Sequence, residues 1–458
     1  MAKKHTFDYD LIVIGSGAGG SAAATIVAKE GKNVAIVEAD KFGGDSPNWS
    51  DVPMHAFLHA AQLYDAAHKG SRFGLRTNTV GYNYPSLRAW KDLAVERTGA
   101  AGNRKYYESQ GIDTFEGKAH FLSPNEITVN RRHLSAEHFL IATGSTWEQP
   151  KVIGLDKIPY LTPRTLLEEL RPPRSLYIIG GGPIGIESAQ LMSTFGTKIF
   201  IAEVASRLLP SEDEEVGELI SRLLAEQKTV TPLTHTRTIS VVKDSLGGYK
   251  ITYSRGGVEK SVKAEAILVT ADRVPSTDLG LENAHVDYTP AGIRADSHLQ
   301  TSAKHIYAAG DVLGKNRNTH TALLESRVAA YNILRKNRLT PDYVGAPNVT
   351  FTYPQVASVG LSADDCLKRD LQVNVSLAPL SIIARSNTSD FRDGFVKLIA
   401  DKKGVLLGGT IVAPDAADMI AELSLAIRHN MTASALASTP HAFLSWSEAV
   451  RVAAGKLS

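Results

Sequence analysis

A single cysteine, Cys366, stands in a chain of 458 residues. One thiol cannot make an internal disulfide, a thiolate metal cage or a dithiol redox pair. A surplus of either charge is also missing: 50 Lys and Arg against 48 Asp and Glu leave a formal charge of +2. That balance provides no basic groove for nucleic acid and no acidic tail. No apolar run approaches the roughly 18 residues of a membrane helix, and the first residues contain no signal-peptide core. The expectation is a soluble cytoplasmic protein with no membrane span and no nucleic-acid partner. Hydrophobic residues at 43% and charged residues at 21% are ordinary for a globular chain. At roughly 150 residues per domain, the length predicts about three domains.

Glycine, by contrast, is placed with a pattern. Residues 11–14 form an apolar run short enough for a buried parallel strand, and Gly15-x-Gly17-x-x-Gly20 follows at once. An Ala-rich stretch over residues 21–29 predicts a helix that stops near Gly31. A second buried strand, residues 34–38, ends in Glu38, 23 residues after Gly15. This is a complete dinucleotide-binding fingerprint in its strand–loop–helix–strand context. The glycines permit a tight turn and close backbone approach, so that helix amides face a pyrophosphate. Glu38 is placed to accept hydrogen bonds from a ribose diol.

The design recurs. Residues 176–179 lead into Gly180-x-Gly182-x-x-Gly185, and residues 198–203 end in Glu203, again 23 residues after the first glycine. A lone fingerprint is as readily a packing turn as a site, but two copies with matching acid spacing predict two bound dinucleotides. Two other strands run into small-residue turns, Phe139-Leu-Ile-Ala-Thr-Gly144-Ser and Ile306-Tyr-Ala-Ala-Gly310-Asp311. Either can be a plain turn, or can let backbone pass close to a cofactor while Asp311 accepts a hydroxyl. The last hundred residues alternate strand and helix without a glycine fingerprint, which suits association rather than nucleotide binding.

With these motifs in hand, the chain resembles the flavoprotein disulfide reductases of the pyridine nucleotide-disulfide oxidoreductase group, nearest to dihydrolipoamide dehydrogenases and mercuric reductases. The similarity covers essentially the whole chain. It includes both fingerprints, Ala142-Thr-Gly-Ser145, Arg273-Val-Pro275, Ala308-Ala-Gly-Asp-Val312, Phe351-Thr-Tyr-Pro-Gln-Val-Ala-Ser-Val-Gly360, Gly394-Phe-Val-Lys397 and Ser447-Glu448-Ala449. The resemblance implies an α/β fold of two Rossmann-like dinucleotide-binding domains plus a C-terminal α+β interface domain. Residues 1–147 with 273–343 are expected to bind FAD, residues 148–272 NAD(P), and residues 344–458 to build a homodimer. It places FAD against Gly15, Gly17, Gly20, Glu38, Gly44, Asp45, Ser46, Ala119, Thr143, Gly144, Ser145 and Asp311. NAD(H) falls against Gly180, Gly182, Gly185, Glu187, Glu203 and Asp272, with Glu187 near the nicotinamide. Glu203 favours NADH over NADPH, because a carboxylate repels a 2′-phosphate; Arg207 is the nearest cation.

The chemistry departs from the family. Where its pattern GGxCxNxGCxPSK carries a redox disulfide, this chain reads Gly43-Gly-Asp-Ser46-Pro-Asn-Trp-Ser-Asp51-Val-Pro-Met-His55. The cysteine positions are Ser46 and Asp51, and the lysine position is His55. Neither Ser nor Asp shuttles two electrons, and Cys366 lies in another segment, expected to be exposed. The family's C-terminal base position is Phe443, while Glu448, which matches the residue that orients the base, remains. Thiol chemistry needs a base to make the thiolate, so both halves of that apparatus are absent together.

Each replacement has a structural reading beside a functional one. Asp51 precedes a helix and fits an N-cap, or handles a proton near the flavin. Asp51, His55 and His59 share a helical stripe with metal-like spacing, but no metal is expected. Trp49 and Trp446 either fill the vacated thiol site or form an aromatic slot for a flat acceptor. The candidate catalytic residues are thus Glu187, Asp51, His55 and Glu448. The expected activity is that of an FAD-dependent NAD(P)H:acceptor oxidoreductase, with a small non-disulfide oxidant such as a quinone, a dye or dioxygen. The alternative is a catalytically retired FAD- and NAD-binding protein.

Overall fold

The computed structural model describes residues 7–76, 79–99, 102–315, 317–335 and 338–458. It divides into two compact units, one of Met1–Ala56, Arg88–Glu148 and Asp272–Tyr343, the other of Phe57–Leu87, Gln149–Ala271 and Val344–Ser458.

In the first unit, the strand Tyr9–Ile14 is central. It pairs in parallel with Val34–Glu38 on one side and with Arg132–Ile141 on the other. Asp113–Glu116 extends the sheet beyond Val34–Glu38, and Ile306–Ala308 lies beyond Arg132–Ile141, both in parallel. Parallel strands buried on both faces read as continuous apolar runs, and Leu11, Ile12 and Val13 are fully buried. The first half of Arg132–Ile141 turns to antiparallel pairing with Glu126–Val129, which pairs with Ala119–Ser123.

The helix after the first strand runs Ala18–Lys29, three residues earlier than the Ala-rich pattern indicates, because extended Gly17 takes the cap position. Its small residues allow close packing on the helix Thr319–Leu334: Ala23 N donates to Ser326 Oγ at 3.0 Å in a buried contact. A Cβ on Gly19 would meet Ala309 O at 2.8 Å.

The second unit repeats the parallel plan. Ser175–Ile179 pairs with Lys198–Ala202 and with Ala266–Val269, and Val230–Leu233 extends the edge. The sequence-predicted strands at 176–179 and 198–203 are these. The same unit holds a three-stranded antiparallel sheet, Thr236–Lys243, Tyr249–Arg255 and Val258–Ala264. It also holds a five-stranded antiparallel sheet, in the order Pro347–Thr350, Gln355–Gly360, Leu406–Ala413, Phe395–Asp401, Val373–Pro379. The helices Ala416–Arg428 and Glu448–Gly455 cover that sheet and bury Ile420, Leu423, Val450 and Ala453 in one apolar cluster.

Three expectations are corrected. Cys366 is 1% exposed, not solvent-facing. A capping box of Ser362 and Asp365 sets the helix Ala363–Lys368, whose one buried residue is the thiol. Asp51 is the first residue of the helix Asp51–Lys69 rather than its cap. The carbonyl of Ser50 accepts the first helical bond, from Met54 N at 3.0 Å, so Ser50 holds the cap position. Trp446 is 6% exposed and belongs to the core of its unit, edge-on to Phe391, which leaves no open aromatic face.

Candidate functional site

The two glycine fingerprints build the same local structure. Gly15 has φ +103°, and a Cβ there would lie 2.2 Å from Ala142 O; Gly180 has φ +116°, with Thr270 O at 2.8 Å. Cβ atoms on Gly20 and Gly185 would strike the carbonyls of Gly15 and Gly180 at 2.0 and 2.1 Å. These four glycines are required by the protein's own packing.

The middle glycines are different. Gly17 and Gly182 are extended, with φ −68° and −75°, a conformation open to any residue. A Cβ on Gly17 makes only ordinary contact at 3.7 Å, and one on Gly182 meets nothing within 4 Å. Each leads into a helix of 12 residues. The space a side chain would take lies at a helix N-terminus, where free amides and the helix dipole favour a phosphate.

The acids complete the parallel. Glu38 Oε2 accepts from Ser16 N at 2.9 Å and Oε1 from Asp40 N at 2.9 Å. Glu203 Oε2 accepts from Gly181 N at 2.8 Å and Oε1 from Ala205 N at 2.8 Å. Both carboxylates are buried and held by one amide after the first glycine and one two residues beyond the acid. Glu38 keeps a lone pair on Oε1, and Glu203 one on each oxygen, for a sugar hydroxyl. Both cradles therefore fit a dinucleotide. Ser16, absent from the sequence-based set, ties the first together: its Oγ donates to Glu38 at 2.7 Å and accepts from Gly43 N at 2.9 Å.

Beside the first cradle lies a charged cluster. Asp311 Oδ2 accepts from Ser145 Oγ at 2.6 Å. Arg273 donates to Ser145 Oγ at 2.7 Å and to Asp45 Oδ2 at 2.9 Å, and stacks on Trp147 with 4.9 Å to the ring centroid. Sequence reasoning placed Asp45, Ser145 and Asp311 but missed Arg273 as the cation that gathers them. The Arg-x-Pro match was the available signal. Thr143 Oγ1 donates to Ser276 O at 2.7 Å, and Gly144 has φ +68°. Ala119 is buried in the sheet core. Exposed Asp272 accepts from Glu148 N through its backbone carbonyl at 2.8 Å.

The positions of the missing cysteines meet through a third residue. Ser46 Oγ and Thr319 Oγ1 are 2.6 Å apart, and Thr319 Oγ1 donates to Asp51 Oδ2 at 2.9 Å. Thr319 lies 268 residues from Asp51, and no local pattern announces it. His55, one helical turn on, is held below the usual imidazole range by burial, against an opposing pull from Asp51. Among the described residues, no group of three or more His, Cys, Asp or Glu side chains is arranged to hold a metal, the stripe with His59 included. Trp49 carries Lys41 Nζ 4.5 Å from its ring centroid.

In the second unit, buried Glu187 accepts from Phe351 N at 2.7 Å. Glu448 Oε2 accepts from Leu444 N at 3.0 Å and so pins the loop that presents Phe443, which is 74% exposed. His441 Nε2 meets Glu422 Oε1 at 2.6 Å and its Nδ1 meets Thr439 O at 2.8 Å.

Residues 9–326 match the pyridine nucleotide-disulphide oxidoreductase family, and residues 346–454 match the dimerisation domain of that family. The chain belongs to this family. The dihydrolipoyl dehydrogenase of Bacillus subtilis is 32% identical over 444 residues, 94% of this chain and 93% of that protein. The mercuric reductase of Streptomyces lividans is 33% identical over 464 residues, 99% and 97% of the two chains. Among solved structures, LpdA from Mycobacterium tuberculosis superposes with a TM-score of 0.87 at 25% identity, covering 98% of this chain and 99% of that one. Members of the pyridine nucleotide-disulphide oxidoreductase family bind FAD and NAD(P), and the dimerisation domain supports a homodimer. This member is a flavoprotein oxidoreductase by family, with one cysteine in its chain. No helix among the described residues is long and apolar enough to cross a membrane.

Proposed function

We infer that the chain is an FAD-dependent NAD(P)H oxidoreductase that passes electrons to a small non-disulfide acceptor, a quinone, a dye or dioxygen, as a cytoplasmic homodimer. The observation that carries this reading is the pairing of two intact cradles with the absence of a thiol at both disulfide positions. Ser46 and Asp51 there are joined by hydrogen bonds through Thr319 instead. FAD, when bound, supplies two-electron transfer between nicotinamide and acceptor. Gly17, Ser16 and Glu38, with the Ser145–Asp311–Arg273 cluster, are the groups that hold it. Gly182 and Glu203 hold the nicotinamide dinucleotide.

NADH is the preferred donor in this reading. Glu203 offers its carboxylate to a ribose diol, and Arg207, the nearest cation in the sequence, turns its Nη2 to other acceptors. Arg207 Nη2 donates to Glu212 O at 3.2 Å and reaches Asp364 Oδ2 at 3.5 Å. A 2′-phosphate would meet the like charge of Glu203.

The test is an anaerobic titration of the flavin-loaded protein with NADH and, separately, NADPH, following flavin absorbance. Bleaching with NADH at lower concentration than NADPH, followed by reoxidation with benzoquinone, is expected. Flavin that stays oxidised with nucleotide bound would sink the oxidoreductase reading in favour of a retired binding protein.

A further inference from the structure

The contact between Ser46, Thr319 and Asp51 has a direction. Thr319 Oγ1 donates its one proton to Asp51 Oδ2 at 2.9 Å. The 2.6 Å bond between Thr319 Oγ1 and Ser46 Oγ is therefore donated by Ser46. The line runs from hydroxyl through hydroxyl to carboxylate. Ser46 and Thr319 line a cleft of about 430 Å³ together with Ala18, Pro47 and Leu323, and Ser16 and Gly43 of the first cradle line it too. That volume lies in the range of small-molecule sites. The segment that bears Ser46 abuts the first cradle, since a Cβ on Gly44 would meet Gly17 Cα at 2.5 Å.

We propose that Asp51, Thr319 and Ser46 form a proton relay that serves the reduction of a quinone-type acceptor. The proposal rests on the acceptor reading above. Conversion of a quinone to a hydroquinone takes up two electrons and two protons. Hydride from NADH brings both electrons and one proton, so the second proton comes from water. The O–H bond of Ser46 breaks as an O–H bond forms on the acceptor. A solvent proton taken up at Asp51 Oδ2 turns both hydrogen bonds round, so that Asp51 donates to Thr319 and Thr319 to Ser46; as Ser46 gives up its proton each neighbour replaces the one lost, and the line returns to the arrangement seen in the structure, with Asp51 an acceptor. No electron passes through the three residues. Serine and aspartate cannot carry electrons where relatives hold a disulfide, but they can carry protons.

The experiment starts from flavin-loaded protein reduced photochemically, so that it does not depend on NADH. The reduced protein is mixed with p-benzoquinone, which takes up protons, or with ferricyanide, which takes up electrons alone. In Thr319→Val the ratio of the benzoquinone rate to the ferricyanide rate falls roughly a hundredfold, the lower end of the range for a positioned general acid. Thr319→Ser restores it. A second readout, infrared spectroscopy of the flavin-free protein, shows a carboxylate band that shifts in Thr319→Val and is missing in Asp51→Asn. An unchanged rate ratio in Thr319→Val overturns the relay and leaves the oxidoreductase reading standing. A carboxylate band indifferent to Thr319→Val also overturns it, because the line is then not formed in solution. Failure of NADH to bleach the flavin overturns the oxidoreductase reading alone.

Discussion

Glycines of one motif answer to different forces, and single substitutions separate them. Gly15 combines φ +103° with a carbonyl 2.2 Å from any Cβ, whereas Gly17 has an ordinary backbone and 3.7 Å of clearance. Gly15→Ala is expected to cost at least about 3 kcal/mol of stability, through steric overlap and left-handed strain. Gly17→Ala is expected to keep stability within about 0.5 kcal/mol while FAD affinity falls at least about tenfold. Urea unfolding of the flavin-free protein and flavin titration measure the two effects separately; equal loss of stability in both variants would contradict the division. His55 sets a pH dependence. Burial holds its pKa below the roughly 6.5 of a free imidazole. The unfolded chain then takes up a proton at higher pH than the folded one, so stability falls as pH drops below about 6.5. His138 acts in the same direction, for the same reason of burial. His55→Gln should flatten the loss of Tm on acidification below about pH 6.5; the same slope in variant and parent would refute it.

At the scale of elements, one buried lysine joins two of them. Lys397, on the strand Phe395–Asp401, bonds Glu215 at 2.8 and 3.0 Å and lies 3.3 Å from Asp213. Glu215 is in the first turn of the helix Glu214–Glu226, and Asp213 precedes it. Lys397→Met leaves Asp213, whose side chain is 2% exposed, as an uncompensated buried charge. A loss of about 3–5 kcal/mol is expected. Adding Asp213→Asn should recover at least about 1 kcal/mol; strict additivity of the two losses by urea unfolding would rule out the pairing. The helix Ala363–Lys368 gives a simpler check. Its Cys366 is buried, and burial pushes the thiol pKa up. A thiol reagent should therefore label nothing in the folded protein and one group per chain after unfolding.

For the whole molecule, the dimerisation-domain match over residues 346–454 leads to a mass by light scattering of about twice 49.3 kDa. Phe443 and Leu444, 74% and 42% exposed, form an apolar pair on the loop pinned by Glu448. Exposed apolar pairs of this kind mark association surfaces. Phe443→Asp is expected to weaken the dimer at least about tenfold, since charge is disfavoured in an interface core. A dimer of unaltered strength would place the contact elsewhere.

The local rules written into the chain already settle much of this. Apolar runs at 11–14 and 176–179, the glycine spacings and the acids at Glu38 and Glu203 specify two parallel strand–helix–strand units, because each signal is complete within about 25 residues. One cysteine in 458 residues excludes an internal dithiol pair without reference to any coordinates. Long-range partnership was out of reach for the same reason. Thr319 and Asp51 meet at a separation of 268 residues, and Arg273 and Asp45 at one of 228. Burial at the edge of a helix also needed the fold: Cys366 sits beside Leu367, which is 81% exposed, so local sequence suggests an open segment. Ser50 and Asp51 are equally good caps by residue type, and only the carbonyl that accepts from Met54 separates them. Spacing by itself determines that the chain is built to meet two dinucleotides. Tertiary structure alone decides how Ser46 and Asp51 are joined there, through Thr319, because hydrogen bonds between distant segments exist only once the chain is folded.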